Sequence, residues 1–446
     1  MQVKPKDQGQ NIKPVGRKAY KMRYIDLFAG AGGFSEGFKR AGFEPVAHVE
    51  VDPAACFTLK TRLAYHYLTE NNKTDIYVKY LKGEISREQL YSFIPAHILE
   101  SVVNLPIGNK NNHRIFQIID KLNGRKDIDI IVGGPPCQAY SLVGRARDEN
   151  GMEGDPRNYL YIQYGRFLKK YTPKLFIFEN VIGLLSAEKG KYFKNIQRYF
   201  RGLGYIVEPF IVNANQFGVL QNRRRVIIIG WQKDLDLSVG ELSDQGSFQY
   251  KVSSLFKDLP ELRAGGGIDK YLTYASEIND YLRFAKIRNG IDILTQHIAR
   301  PHTEQDKEIY RITVEKWKKN QVRLDYNDLP ERLKSHNNRE SFLDRFKVVA
   351  DDLLWSQTVV AHIAKDGHYY IHPDIEQNRS ISVREAARLQ SFPDDYYFEG
   401  AKEGQIRTPA FRQIGNAVPP LIVESIAKKL MSCIEGNEKG LLADIK

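Results

Sequence analysis

Tyr24-Ile25-Asp26-Leu27-Phe28 runs directly into Ala29-Gly30-Ala31-Gly32-Gly33-Phe34, and this join decides the fold. A short apolar run ending in glycines reads as a buried strand, here Met22–Phe28, and Phe34–Ala41 then carries helical spacing. Glycines at such a turn let backbone approach a ligand closely. The helix behind them offers free N–H groups and the positive end of its dipole. A second strand, Glu44–Val49, follows, and Glu50 closes it 18 residues after Gly32. An acid at about that spacing commonly accepts from a ribose diol. The phosphate-binding pattern G-x-G-x-x-G is broken because Ser35 stands at its last glycine. The turn therefore points to a nucleoside without pyrophosphate, such as S-adenosylmethionine, rather than to NAD.

Working outward, strand and helix signals keep alternating. Asp127–Val132 is a strand that ends in Gly133-Gly134-Pro135-Pro136-Cys137-Gln138. Helical spacing over Tyr159–Tyr171 leads to the strand Lys174–Phe178. Tyr192–Leu203 reads as a helix, and Tyr205–Val212 and Arg225–Trp231 as β-branched strands. Regular helix returns at Val383–Gln390 and Leu421–Cys433. This succession predicts an open, mostly parallel α/β sheet with helices on both faces, its ligands held at the carboxyl ends of the strands. Between about 240 and 345 the alternation breaks down into charge, aromatics and short turns, which reads as a smaller, irregular module.

Composition narrows the classes. The 446 residues hold 42% hydrophobic and 27% charged residues, an ordinary globular balance, and no apolar run approaches membrane-spanning length. Met1 to Lys21 is polar and Lys-rich, without the apolar stretch of a secretory signal, and reads as a basic flexible leader. Three cysteines, Cys56, Cys137 and Cys433, are too few and too scattered for a disulfide framework or a zinc site, and no metal is expected. Lys plus Arg number 66 against 54 acids, a net charge of +12 that favours a polyanionic partner.

Three constellations sit at the predicted carboxyl edge. Cys137 follows two prolines that stiffen its turn over the cleft, which sets it apart from Cys56 and Cys433, both of which read as small buried apolar residues. Glu179-Asn180-Val181 ends KLFIF; beside a nucleophilic thiolate its acid is a candidate proton donor to a ring nitrogen. Gln221-Asn222-Arg223-Arg224-Arg225 opens VIIIG. Alternation there predicts Arg223 and Arg225 on one face and Arg224 on the other, where two guanidiniums can hold a carboxylate, a phosphate or a substrate carbonyl in fixed geometry.

Taken together, DLFAGAGGFSEGFKRAGF, GGPPCQAYS, FENV, QNRRR, VREAARLQSFPDDY and QIGNAVPP, spread in order over residues 26–420, resemble the motif series of the DNA cytosine-C5 methyltransferases. The resemblance implies a Rossmann-like S-adenosylmethionine-dependent methyltransferase sheet over 22–239, a target-recognition domain over 240–345, and a return segment, 346–446, completing the catalytic domain. It implies Cys137 as the nucleophile at cytosine C6, Glu179 at protonated N3, and Arg225 near the pyrimidine O2 with Arg223 beside it. Phe28, Gly30, Gly32, Gly33, Glu50, Val51, Pro136 and Asn416 match cofactor contacts. The segment 138–157 is suited to a loop closing over a flipped-out base, with Ser141, Arg145 and Arg147, together with Gln221, expected to contact DNA. Where the family often carries an acid near the adenine amino group, this chain has SVVNLPIGN, with Asn104 the candidate substitute. Arg263, Tyr271, Arg323 and Tyr326 are candidate base or phosphate readers in the middle module.

An RNA cytosine-C5 methyltransferase would share the catalytic motifs, but a middle module of this length favours duplex DNA. An inactive DNA-binding relative would lose the Cys or the Glu of these motifs, and both are present. Similarity to the compact enzymes of bacterial restriction–modification systems implies duplex DNA and a cognate restriction endonuclease as partners, a monomer, and a cytoplasmic, nucleoid-associated location.

Overall fold

The computed structural model describes residues 21–124, 126–136, 159–243, 249–341 and 343–443, with backbone alone for 436–443. Cys137, Ser141, Arg145 and Arg147, and all but the last residue of the expected leader, lie outside these. Among the described residues one sheet runs in the order β3-β2-β1-β4-β5-β7-β6. Its strands are β1 Arg23–Leu27, β2 Glu44–Glu50, β3 Val102–Asn104, β4 Ile130–Gly133, β5 Leu175–Asn180, β6 Tyr205–Asn213 and β7 Arg224–Gln232. The first five pair in parallel, whereas β7 runs antiparallel to both β5 and β6. Chain order reverses between β1 and β4, so a crevice opens at their carboxyl ends, where such sheets take ligands.

Alternation along the strands divides the core into two layers. Tyr24, Ile130, Val132, Leu175, Ile177, Ile227 and Ile229 face one side, where the helices Gly33–Arg40 and Pro420–Ala443 pack. Ile25, Leu27, Ile131, Phe176, Phe178, Val226 and Ile228 face the other, beneath the helices Asn112–Asn123, Leu160–Tyr171 and Lys191–Gly202. The C-terminal helix thus returns to cover the first βα unit.

The elements expected from periodicity occur within a few residues of their expected bounds, except that the last helix, expected over Leu421–Cys433, runs from Pro420 to Ala443. Several others carry no clean amphipathic stripe and escaped it. The helix Pro53–Glu70 buries Ala54, Cys56, Thr58, Leu59, Arg62 and Leu68, which do not form one face. Its start was nevertheless legible: Asp52 accepts from the Ala54 N–H and Pro53 opens the first turn. The helix Glu304–Asn320 interrupts the module read as irregular, and Thr303 and Asp306 cap it reciprocally. The apolar cores do not divide at residue 345. Ile309, Tyr310 and Val314 share a cluster with Phe346, Val348 and Ile371, while Val252, Leu255 and Leu282 join residues from Val349 to Ala417.

Candidate active site

The crevice is a cleft of about 1580 Å³, larger than a single small-ligand pocket. Its floor is the glycine turn. Phe28 sits at φ 56° and Gly30 at φ 54°, so the chain leaves β1 through left-handed backbone, a conformation disfavoured for a bulky residue and held only where packing demands it. The Glu50 carboxylate fixes the turn. It accepts from the Gly30 N–H at 2.8 Å through Oε2, and from the Val51 and Asp52 N–H groups at 2.8 Å each through Oε1. The Gly32 N–H is used locally, on the Ala29 carbonyl at 2.9 Å. With these donors consumed the turn is no phosphate cradle, and Glu50 retains lone pairs for hydroxyls.

Phe28, Val51 and Leu105–Ile107 wall this end with apolar surface, and Val51 is 57% exposed toward it. Asn104 ends β3 opposite Glu50. Its amide donates to the Glu50 and Val51 carbonyls at 3.1 and 3.0 Å and braces that loop. Gly33 and Asn416 also line the cleft, whereas Gly32 caps the first helix from behind, with Leu59 and Tyr396 where a side chain would go. A Cβ on Gly33 would meet the Val418 carbonyl at 2.1 Å, so the return segment lies directly against the turn. Glu50, apolar walls and Asn416 fit a nucleoside with a vicinal diol.

Beneath the turn, Asp26 is fully buried and accepts from the Ser35 hydroxyl at 2.7 Å. Burial, reinforced by the Glu50 charge, raises its pKa to about 7 against the lowering effect of Ser35. The Cys56 thiol is buried too, and chiefly for that reason its pKa is pushed up to about 12.

At the other end β4 and β5 deliver Gly134, Pro135, Pro136, Glu179 and Val181. Glu179 Oε1 and Arg225 Nε form an ion pair at 2.8 Å, both side chains mostly buried but open to the cleft. Gly134 packs on this pair: a Cβ there would stand 2.6 Å from Glu179 Oε2. Asn180, singled out only as part of the ENV motif, is buried; its amide donates to the Pro135 carbonyl at 3.3 Å and its oxygen accepts the Val181 N–H. It ties the Pro-Pro turn to β5, and an amide at the end of a buried strand was the signal for it.

Two expected site residues lie elsewhere. Arg223 precedes β7 and points away from the cleft, donating to the Val359 carbonyl at 2.7 Å, Ala417 at 2.8 Å and Gly415 at 3.3 Å. It therefore does not share a face with Arg225. Gln221 is fully buried, bonded to the Leu389 carbonyl, the Gln390 side chain and the Val359 N–H, and has no surface for DNA. Both join β7 to the return segment. Tyr326, expected as a reader, is buried under Arg345 and beside Phe346.

Comparison with known proteins agrees with this geometry. The model of the C-5 cytosine-specific DNA methylase family matches residues 22–89 and 101–432. The chain belongs to that family. Type II methyltransferase M.Bpa9945I of Bacillus paralicheniformis is 41% identical over 93% of this chain and 100% of its own length. M1.HphI of Haemophilus parahaemolyticus is 31% identical over 92% of this chain and 87% of its own. Among solved structures, an E. coli protein described as a DNA modification methyltransferase encoded within a prophage superposes with a TM-score of 0.62. It covers 93% of this chain and 100% of its own at 22% identity, a likeness of fold. The family membership makes the chain a DNA (cytosine-5-)-methyltransferase.

Proposed function

We propose that this methyltransferase acts on a cytosine flipped out of a specific duplex sequence, with S-adenosylmethionine as donor and a covalent bond from Cys137 to C6. When bound, S-adenosylmethionine supplies an electrophilic methyl group. Glu50 and Asn416 hold its nucleoside, with Phe28 and Val51 against the base. The Cys137 thiolate adds to C6, which turns C5 from a poor carbon nucleophile into an enamine-like one. The Glu179 carboxyl passes a proton to N3 as the thiolate adds and then, as carboxylate, accepts the N3–H, while Arg225 keeps it aimed and faces the pyrimidine O2 with its guanidinium. After transfer, the C5 proton passes to water, N3 returns its proton to Glu179 and the thiolate leaves, which restores the aromatic ring. Extrusion is required because C5 and C6 of a stacked base are out of reach.

The observation that carries this reading is the Glu179–Arg225 pair against Gly134, in the turn that leads to Cys137. The relatives named type II methyltransferases support a role in restriction–modification, with a cognate endonuclease as functional partner. The test is transfer of labelled methyl from S-adenosylmethionine to unmethylated DNA by the wild type and by Cys137→Ser. Label at cytosine C5 from the wild type alone is expected. Label on transfer RNA but not on DNA would overturn the substrate, and a Cys137→Ser enzyme of normal activity would overturn the mechanism.

A further inference from the structure

The helix Arg407–Asn416 presents Thr408, Arg412 and Asn416 to the cleft, and all three are exposed. They stand four residues apart and so lie along one helical face. Asn416 is at the cofactor end, which puts Arg412 one turn, about 6 Å, further out, and Thr408 a turn beyond it. The turn Ala361–Ala364 runs beside this helix so closely that a Cβ on Gly415 would meet the Ala361 nitrogen at 2.3 Å. Lys365 follows that turn, also exposed and also lining the cleft.

Cations at a protein surface are usually matched, and nearby ones here are. Lys347 pairs with Asp344 at 2.6 Å, and Asp366, next to Lys365 in the chain, is bonded to His362 at 3.0 Å. Arg412 and Lys365 have no ion-pair partner among the described residues. Behind them Arg300 donates to the Lys365 and Ile363 carbonyls at 2.8 and 2.6 Å, adding a third positive charge while bracing the turn. Its pKa is lowered by burial and then by the Arg407 charge, which Asp366 partly offsets. Such an arrangement is stabilised by an anion from outside.

We propose that Arg412 and Lys365, with the Thr408 hydroxyl, form a phosphate-binding rim that grips the DNA backbone beside the extruded base. The inference rests on the DNA-modifying reading above and extends it to the return segment, which is otherwise a packing element. Contacts of this kind carry no base information; they set the register of the duplex and contribute affinity that falls with salt.

The test is affinity for a short unmethylated duplex, measured by fluorescence anisotropy over a salt series with S-adenosylhomocysteine present. The proteins are wild type, Arg412→Ala, Lys365→Ala, the double variant and Arg412→Lys. Each alanine variant is expected to bind every duplex sequence roughly 5-fold more weakly and to reduce the salt slope by about 0.9, with the double variant additive and Arg412→Lys near wild type. Affinity for S-adenosylhomocysteine should be unchanged throughout. Wild-type DNA affinity and slope in the alanine variants would overturn the rim, as would a parallel loss of S-adenosylhomocysteine binding, which would mark a packing role. A wild type that binds S-adenosylhomocysteine but no duplex would overturn the underlying substrate reading instead.

Discussion

Asp26 is a carboxylate placed where water cannot reach it, and its consequence is a pH dependence. Its folded pKa of about 7 lies above the unfolded 3.8, so between those values the native state holds a proton that the unfolded chain has lost. Stability from this group is fully present below the unfolded pKa and is lost as pH rises through the folded one. Asp26→Asn should flatten that decline, and urea midpoints at either end of the window would show it. Gly134 makes a second point. Alanine is compatible with its backbone, but the new Cβ would press on Glu179 Oε2. Gly134→Ala is expected to lower methyl transfer about 10²-fold, as small misplacements of catalytic groups do, while S-adenosylhomocysteine binding is retained. The acid and the glycine turn were legible, because each stands at the end of an apolar run. Asp26's state was not, since an acid inside a strand says nothing of what covers it.

At the scale of elements, β7 and the return segment are joined by side chains rather than by a ladder. Arg223 delivers three hydrogen bonds to carbonyls 136 to 194 positions away. Arg223→Gln should cost roughly 3 kcal/mol in chemical denaturation, since buried carbonyls would lose charged donors. It should also weaken S-adenosylhomocysteine binding, because Asn416 lies between two of the carbonyls. Sequence alternation assigned Arg223 to the face of Arg225, and this failed because β7 begins only at Arg224; period-two reasoning holds inside a strand and not before it. The VREAARLQSFPDDY stretch is similar. Its helix, Val383–Leu389, is amphipathic in neither sense: Arg384 and Arg388 are fully buried, the latter between Asp258 and Asp394. Its conspicuous charge serves internal bracing.

Across the whole molecule the first βα unit is locked to the C-terminal third through a buried ionic knot. Arg62 meets Glu36 at 2.7 Å and Asp395 at 2.9 Å. Burial opposes charge on each, but Arg62 and Arg40 hold Glu36 well below the usual carboxylate range. Arg62→Ala would leave Asp395 without its ion-pair partner in the interior and Glu36 with Arg40 as its remaining arginine, and should destabilise the fold by about 3 kcal/mol, read from thermal or urea unfolding. The sequence alone determined the α/β class, the glycine turn with its acid at the end of β2, and the order of the catalytic motifs. Those features are written in apolar runs and their terminators, which act over a few residues. Tertiary structure alone decided which arginine of the triplet reaches the cleft, that Gln221 is a core residue, that Asn104 braces a loop, and that the charged late motif is a brace. Each of those outcomes depends on partners far away in sequence, and a buried polar group takes its role from whichever carbonyl or charge the packed chain brings within hydrogen-bonding distance.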